Sequence, residues 1–263
     1  MQVLKETLTL REFAEKTIPC KFPDGHAATY PKGAWNPCTF EEAVEFFQKG
    51  YKAETVEFAA EVADLTRRLA EEFNLNPRFD PAETGLFFDV GRVLEGAPEC
   101  WLDTPLDARP ELNLQIRFDY NCYVDKEQVR RRGVVICTLI NLLSRKFNLQ
   151  VSICAAFLFR DADKKCFISI KIPHDPLDLD LMNFVLTHTG FFRRLGFSLI
   201  EHIRNRNDGT LRCHAMNLGP DGLAEFGFDD AVYFPQIEEG EYRTQKDAED
   251  RLRNVLESAI KAI

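Results

Sequence analysis

Between Lys126 and Phe147 the sequence is apolar almost all the way round a helix. Val129, Gly133, Ile136, Ile140, Leu143 and Phe147 fall on one face at helical spacing, and Val134, Val135, Cys137, Leu139 and Leu142 fill most of the remainder. A helix without a polar face must be enclosed. Lipid is not the enclosure, because the most apolar run, Val134–Leu143, is about half the ~18 residues of a membrane span and contains Cys137, Thr138 and Asn141. The helix therefore requires protein around it. A chain of 263 residues can supply that cover, burying roughly 70–75% of its unfolded surface without a disulfide or metal staple.

The flanks of this helix read as strands. Leu112, Leu114, Ile116 and Phe118 alternate with polar residues, the half-buried strand pattern. Gln150–Phe159 and Cys166–Ile172 are two further apolar runs, joined by the short polar turn Asp161-Ala-Asp163-Lys-Lys, which makes them an antiparallel hairpin. A helix follows, with Asp175 as its N-cap, Pro176 at the first position and Asp178 at the third. Gly190 interrupts or ends it, and Phe191–Leu195 adds a turn. Phe197–Ile203 reads as a fourth strand, Leu211–Leu218 as a weak one after the turn Asn205–Gly209, and Val232–Ile237 as a better one. Thr244-Gln-Lys-Asp247 is a capping box opening a terminal helix.

Strands alternating with helices predict an α/β fold: an open, mostly parallel sheet covered by helices. It spans 97–263. Ahead of it, 39–96 is a small helical unit and connector. A capping box at Thr39-Phe-Glu-Glu42 starts one helix ending at Gly50, and Phe58, Val62, Leu65, Leu69 and Phe73 line a second. Residues 1–38, with Pro23, Pro31, Pro37, Gly25 and Gly33, read as an irregular segment with one short helix near Thr9–Lys16.

Three stretches resemble a family. Arg132-Gly133 leading into the apolar helix is one, Leu177–His188 with Phe191–Phe197 is the second, and Phe88–Cys100 is the third. Together, over about residues 39–205, they resemble an uncharacterised family of bacteriophage and mobile-element proteins known as a domain of unknown function. The resemblance implies a protein made inside a bacterial cell. The strand order also looks like a degenerate von Willebrand factor A domain, which often holds a divalent metal at the carboxyl edge of its sheet on an Asp-x-Ser-x-Ser motif. The matching residues here are Asp119, Asn121 and Tyr123, so Asn and Tyr stand where the serines would be. Asp119 and Asn121, joined by Asp175 and Asp208 from nearby loops, are the candidate metal ligands. Their oxygens would suit Mg²⁺. Against a metal site, Asp119 and Asn121 simply turn the chain after a strand, and helix capping explains Asp175 and Asp178.

The remaining candidates are basic. Arg193 and Arg194 carry forked guanidiniums able to grip a carboxylate or phosphate. His188 precedes them, and Arg132 lies early in a helix whose amino end disfavours positive charge. These four are the candidate partner-binding residues. The net charge of −9 opposes binding of nucleic acid over the whole surface. No phosphate loop, dinucleotide fingerprint, nucleophile elbow or H-E-x-x-H motif occurs. The eight cysteines contain no C-x-x-C pair, which points to free thiols in a reducing cytoplasm. The expectation is a non-catalytic protein-interaction module using the carboxyl edge of the sheet. A metal-assisted hydrolase or nucleotide-processing enzyme built on Asp119, His174, Asp175 and Asp208 is the alternative from a different class, and a virion or assembly component is the third.

Overall fold

The apolar helix is as enclosed as its sequence demands. The structure is a computed structural model and describes residues 2–19, 22–33, 35–75, 80–82, 87–88, 101–103, 111–120, 122–146, 150–161, 164–172, 178–204, 231–238 and 240–262. In chain order its elements are β1 (Gln2–Leu8), α1 (Leu10–Thr17), α2 (His26–Thr29), α3 (Phe40–Lys49), α4 (Thr55–Glu72), β2 (Asp80–Ala82), β3 (Phe87–Phe88), β4 (Trp101–Asp103), β5 (Glu111–Arg117), α5 (Lys126–Lys146), β6 (Gln150–Asp161), β7 (Lys164–Ile172), α6 (Leu179–Thr187), a π-helix (Phe191–Gly196), α7 (Phe197–Arg204), β8 (Ala231–Phe234) and α8 (Gln245–Ala262). In α5, Val134 to Ile140 are all buried, as are Val129, Leu142 and Leu143. The helix packs against α4, α6 and α8. Among the described residues no helix is long and apolar enough to cross a membrane.

The fold is α/β, with more helix than strand. Its larger sheet has the order β1-β7-β6-β5-β8. Three of its four pairings are parallel, β1 with β7, β6 with β5 and β5 with β8, while β6 and β7 form the expected antiparallel hairpin. Helix α5 carries the chain from β5 to β6, the long crossover that a parallel pair needs. A second, three-stranded antiparallel sheet has the order β2-β4-β3. One continuous apolar cluster contains Leu8 and Phe13, Phe58 and Leu65, Leu114 and Ile116, and Leu252 and Leu256. The amino-terminal segment, the helical unit and the α/β region therefore share a core.

Several local signals are realised as read. Thr39 and Glu42 form a reciprocal capping box on α3, and Gly50 ends that helix at φ +82°. Phe58, Val62, Leu65 and Leu69 are the buried face of α4. The Thr244 hydroxyl accepts from Asp247 N at 3.1 Å at the start of α8.

Other readings are corrected. Residues 1–38 are not irregular throughout: Gln2–Leu8 pairs in parallel with Lys164–Ile170, and Thr9 with Glu12 builds a capping box for α1. Phe197–Ile203 is helix α7, not a strand. Its apolar run is short enough to suit either period, and enclosure buries Phe197 through Glu201 without exception. The N-cap of α6 is Asp178, accepting from Leu181 N at 3.0 Å, rather than Asp175. Asp175, the turn 205–209 and the weak strand 211–218 lie outside the described residues.

Helices α5 and α6 touch backbone to backbone at Gly133. A Cβ there would sit 2.6 Å from the Leu186 carbonyl oxygen and 2.7 Å from Thr187 Cγ2. Alanine normally favours a helix interior over glycine by about 1 kcal/mol. Here the clash is with main chain and wins, since overpacking costs about 1–3 kcal/mol. Gly133→Ala is expected to lower stability by about 1–2 kcal/mol, read from the urea midpoint; a stabilised variant would disprove the close approach.

Candidate functional site

The carboxyl end of β5 runs directly into the segments that carry most of the candidate residues. Arg117, Asp119 and Tyr120 are all buried. Arg117 grips both carboxylate oxygens of Asp119 and reaches Gln236 Oε1 at 3.4 Å. Arg132, early in α5, donates to the carbonyls of Arg117 at 2.7 Å, Phe234 at 3.3 Å and Pro235 at 2.5 Å. It thereby ties α5 to the ends of two neighbouring strands.

The π-helix brings two more guanidiniums to the same edge. Arg193 donates to the carbonyls of Trp35 and of Val124, the latter at 2.8 Å. Its Cζ lies 4.3 Å from the Trp35 ring centroid and 4.9 Å from that of Tyr120, an attraction between cation and ring face. Arg194 donates through Nε and Nη2 to the Cys38 carbonyl, at 2.9 and 2.6 Å, and through Nη1 to Ala27 O at 3.0 Å. Both arginines are buried, and burial lowers the pKa of each guanidinium from its ordinary value.

The expectation that Arg132, Arg193 and Arg194 meet a partner at the surface does not match this placement. Their bonded donors go to main-chain carbonyls of their own chain, and Arg193 Nε has no partner among the described residues. The segment around Trp35 and Cys38 covers part of the carboxyl end of β5 through Arg193 and Arg194, while Cys122 and Tyr123 on the turn that follows stay exposed.

His188 is the exception. It follows α6 directly, and its Nδ1 accepts from Gly190 N at 3.0 Å. Tyr51 and Phe46 meet its ring edge-on at centroid distances of 4.8 and 5.4 Å, and Phe184 lies tilted at 5.4 Å. Burial among these rings pushes its pKa down to about 4. Gly190 permits the crowding, since a Cβ there would collide with Cys38 Sγ and lie 2.8 Å from His188 Nδ1.

His188 lines a cleft of about 90 Å³. Its walls come from Pro37, from Tyr51 and Glu54 ahead of α4, from Lys126, Glu127 and Arg130 at the start of α5, and from Thr187 and Thr189 flanking the histidine. Three carboxylates meet two cations at the rim: Arg130 holds Glu61 through two bonds of 2.8 and 2.9 Å and lies 3.8 Å from Glu54, and Lys126 lies 3.8 Å from Glu127. Of the candidate metal ligands, Asp119 is engaged by Arg117. Asn121, Asp175 and Asp208 lie outside the described residues, as does His174. Among the described residues no three metal-ligating side chains gather. The sequence reading singled out His188 but not Tyr51, Glu54 or Thr189: the first two lie far from it in the chain, the third directly follows it, and none carries a motif.

Two outcomes follow from this geometry. Arg194→Lys puts one nitrogen where three separate nitrogens bond Cys38 and Ala27, so it cannot reproduce the three bonds. Leaving buried carbonyls unmet should cost about 2–4 kcal/mol, measured by chemical denaturation; unchanged stability would refute the clamp. For His188, the folded pKa lies below the ordinary 6.5, so the unfolded chain binds the proton more readily and stability falls as pH drops from about 6.5 to 4. The loss should be on the order of 2–3 kcal/mol, and smaller in His188→Gln when the two are compared by urea titration at each pH. Parallel curves would show that the ring is not desolvated.

Residues 27–259 match the family model of a domain of unknown function, DUF7192. No curated protein and no solved structure matches the chain. With so much of its length inside the family's bounds, the chain belongs to the DUF7192 family.

Proposed function

We propose that this chain is a non-catalytic protein-interaction module whose contact surface is the turn between β5 and α5. The observation that carries this reading is Tyr123, which is 70% exposed on a turn held from both sides. On one side Tyr120 Oη donates to Thr189 O at 3.3 Å. On the other, Val124 O is held by Arg193, and Asp125 and Gln128 cap α5 reciprocally, at 2.8 and 3.1 Å. A tyrosine presented on an already ordered turn offers contact area with little ordering entropy to lose on binding. Tyrosine is also among the residues that dominate interface energies.

The strand order β7-β6-β5-β8, with its one antiparallel hairpin beside the parallel strands, supports a degenerate von Willebrand A-like frame for the module. The free thiols of Cys38 and Cys137 support work in a reducing compartment such as the cytoplasm. The motifs at Arg132–Leu143 and Leu177–Phe197 support an origin in a bacteriophage or mobile element.

The test is affinity capture by the tagged chain in its native cell, quantified against Tyr123→Ala. A protein retained by the natural chain should be depleted at least tenfold by the substitution, with the melting temperature unchanged, as expected for a contact worth about 2 kcal/mol. An identical set of captured proteins with Tyr123→Ala and Tyr123→Asp would remove the reading.

A further inference from the structure

The two most exposed large apolar side chains among the described residues stand beside the cleft that His188 lines. Val56 is 82% exposed and lies two residues beyond Glu54; Tyr123, 70% exposed, comes three residues before Lys126. Glu54 and Lys126 both line the cleft. Apolar groups left in water around a concavity mark a contact surface, and the concavity selects the group that enters it.

Charge narrows the choice. Arg130 gives its two short bonds to Glu61, which does not line the cleft, and only approaches Glu54, at 3.8 Å. Glu54 accepts one long bond from Tyr51 Oη, at 3.4 Å, and makes no side-chain bond to the helix it caps. Glu127 has Lys126 at 3.8 Å. The two carboxylates that line the cleft are therefore loosely held, and both are half-exposed. The positive amino ends of α4 and α5 each have an acid of their own: Glu57 in the first turn of α4, and Asp125, which accepts from Gln128 N at 2.8 Å, on α5. Thr187 and His188 bring the negative carboxyl end of α6 to the wall. An anion would meet a surplus of its own sign, whereas a cation would relieve it. The net charge of −9 adds attraction for cations at longer range. A bare divalent ion is a poor match, because no three metal-ligating side chains gather among the described residues. Pro37 and the Tyr51 ring also line the cleft, and they suit the apolar stem that a basic side chain carries behind its charge.

We propose that the cleft receives a lysine or arginine side chain from a protein partner, its stem against Pro37 and Tyr51 and its charged head at the carboxylates of Glu54 and Glu127. This rests on the module reading above for the source of the side chain, but not for the charge and walls of the cleft. The partner segment carries apolar residues next to the basic one, which cover Val56 and Tyr123. Ion pairs open to water contribute modestly, so the inserted cation sets the register of docking and the apolar contacts supply most of the affinity. Burial keeps His188 neutral near neutral pH, so its ring does not repel the entering charge.

The experiment titrates the methylamides of N-acetylarginine, N-acetyllysine, N-acetylleucine and N-acetylglutamate separately into the full chain, near neutral pH and at equal ionic strength. NMR follows the Tyr51 ring and the backbone amides of Glu54 and Glu127. The arginine derivative, the lysine derivative or both should give saturable shifts, and the leucine and glutamate derivatives should not. Glu54→Gln and Glu127→Gln should each weaken the cation about two- to fivefold, the loss of one half-exposed ion pair, with the melting temperature unchanged. Glu127→Gln decides the matter should the Glu54 variant be destabilised. Raising sodium chloride from about 20 to about 500 mM should weaken the cation further by screening. Absence of a saturable response to either cation overturns the proposal. So does a leucine derivative that binds as well, or cation binding that both glutamine variants leave unchanged. Tyr123→Ala should leave the cation titrations as they are. Saturable cation binding together with capture insensitive to Tyr123 would therefore sink the module reading and leave the cleft chemistry standing. Capture lost in Tyr123→Ala, with no cation response, would do the reverse.

Discussion

Guanidinium groups inside the protein, bonded to main-chain carbonyls, hold the two halves of this molecule in place. Arg194 collects the carbonyls of Ala27 and Cys38, Arg193 those of Trp35 and Val124, and Arg132 those of Arg117, Phe234 and Pro235. A carbonyl in irregular chain has no strand or helix partner, and burying it unmet is costly. Arginine answers this with five donors on a rigid plane. The described part of the segment 22–39 carries one turn-long helix, yet it is fastened to the core because the π-helix reaches it twice. The same π-helix follows Thr189 directly, and Arg193 N donates back to the Thr189 carbonyl at 2.9 Å.

The parts of the fold legible in the sequence were those with a strong period or a local cap. Helix α5 was readable because nearly every position is apolar, α3 because Thr39 and Glu42 bracket its first turn, and the β6–β7 hairpin because its turn is too short for a crossover. Strand β1 was not readable. Its Val3, Leu4 and Leu8 do not alternate cleanly with Gln2, Lys5, Glu6 and Thr7, and its partner, β7, begins only at Lys164. The box at Thr9 and Glu12 was a usable sign for α1, obscured by the prolines that follow. Helix α7 was misread because an apolar run enclosed on all sides looks the same in either period.

The candidate site divides along the same line. The sequence marked Arg132, Arg193 and Arg194 as charges that local rules did not explain, and the structure supplies the reason: they answer carbonyls distant in sequence. No single-residue signal distinguishes that role from contact with a partner. His188 was marked as well, but its companions Tyr51 and Thr189 were not. Thr189 follows His188 in the chain, but Tyr51 reaches the histidine only through the packing of α6 on the start of α4, where Asn183 holds the Tyr51 carbonyl at 3.1 Å.

The parallel pairing of β1 with β7 has a consequence for synthesis. Gln2 faces Lys164 and Leu8 faces Ile170, so β1 leaves the ribosome about 160 residues ahead of the strand it pairs with. Until then its backbone donors and acceptors are open to any neighbouring nascent chain. Lys5 and Glu6 put charge in the middle of that waiting strand, where it discourages premature pairing between copies. Closing a loop of this length is slow relative to local helix formation, which makes the sheet's outer edge a late-forming part of the molecule and a point where elongation speed would influence yield.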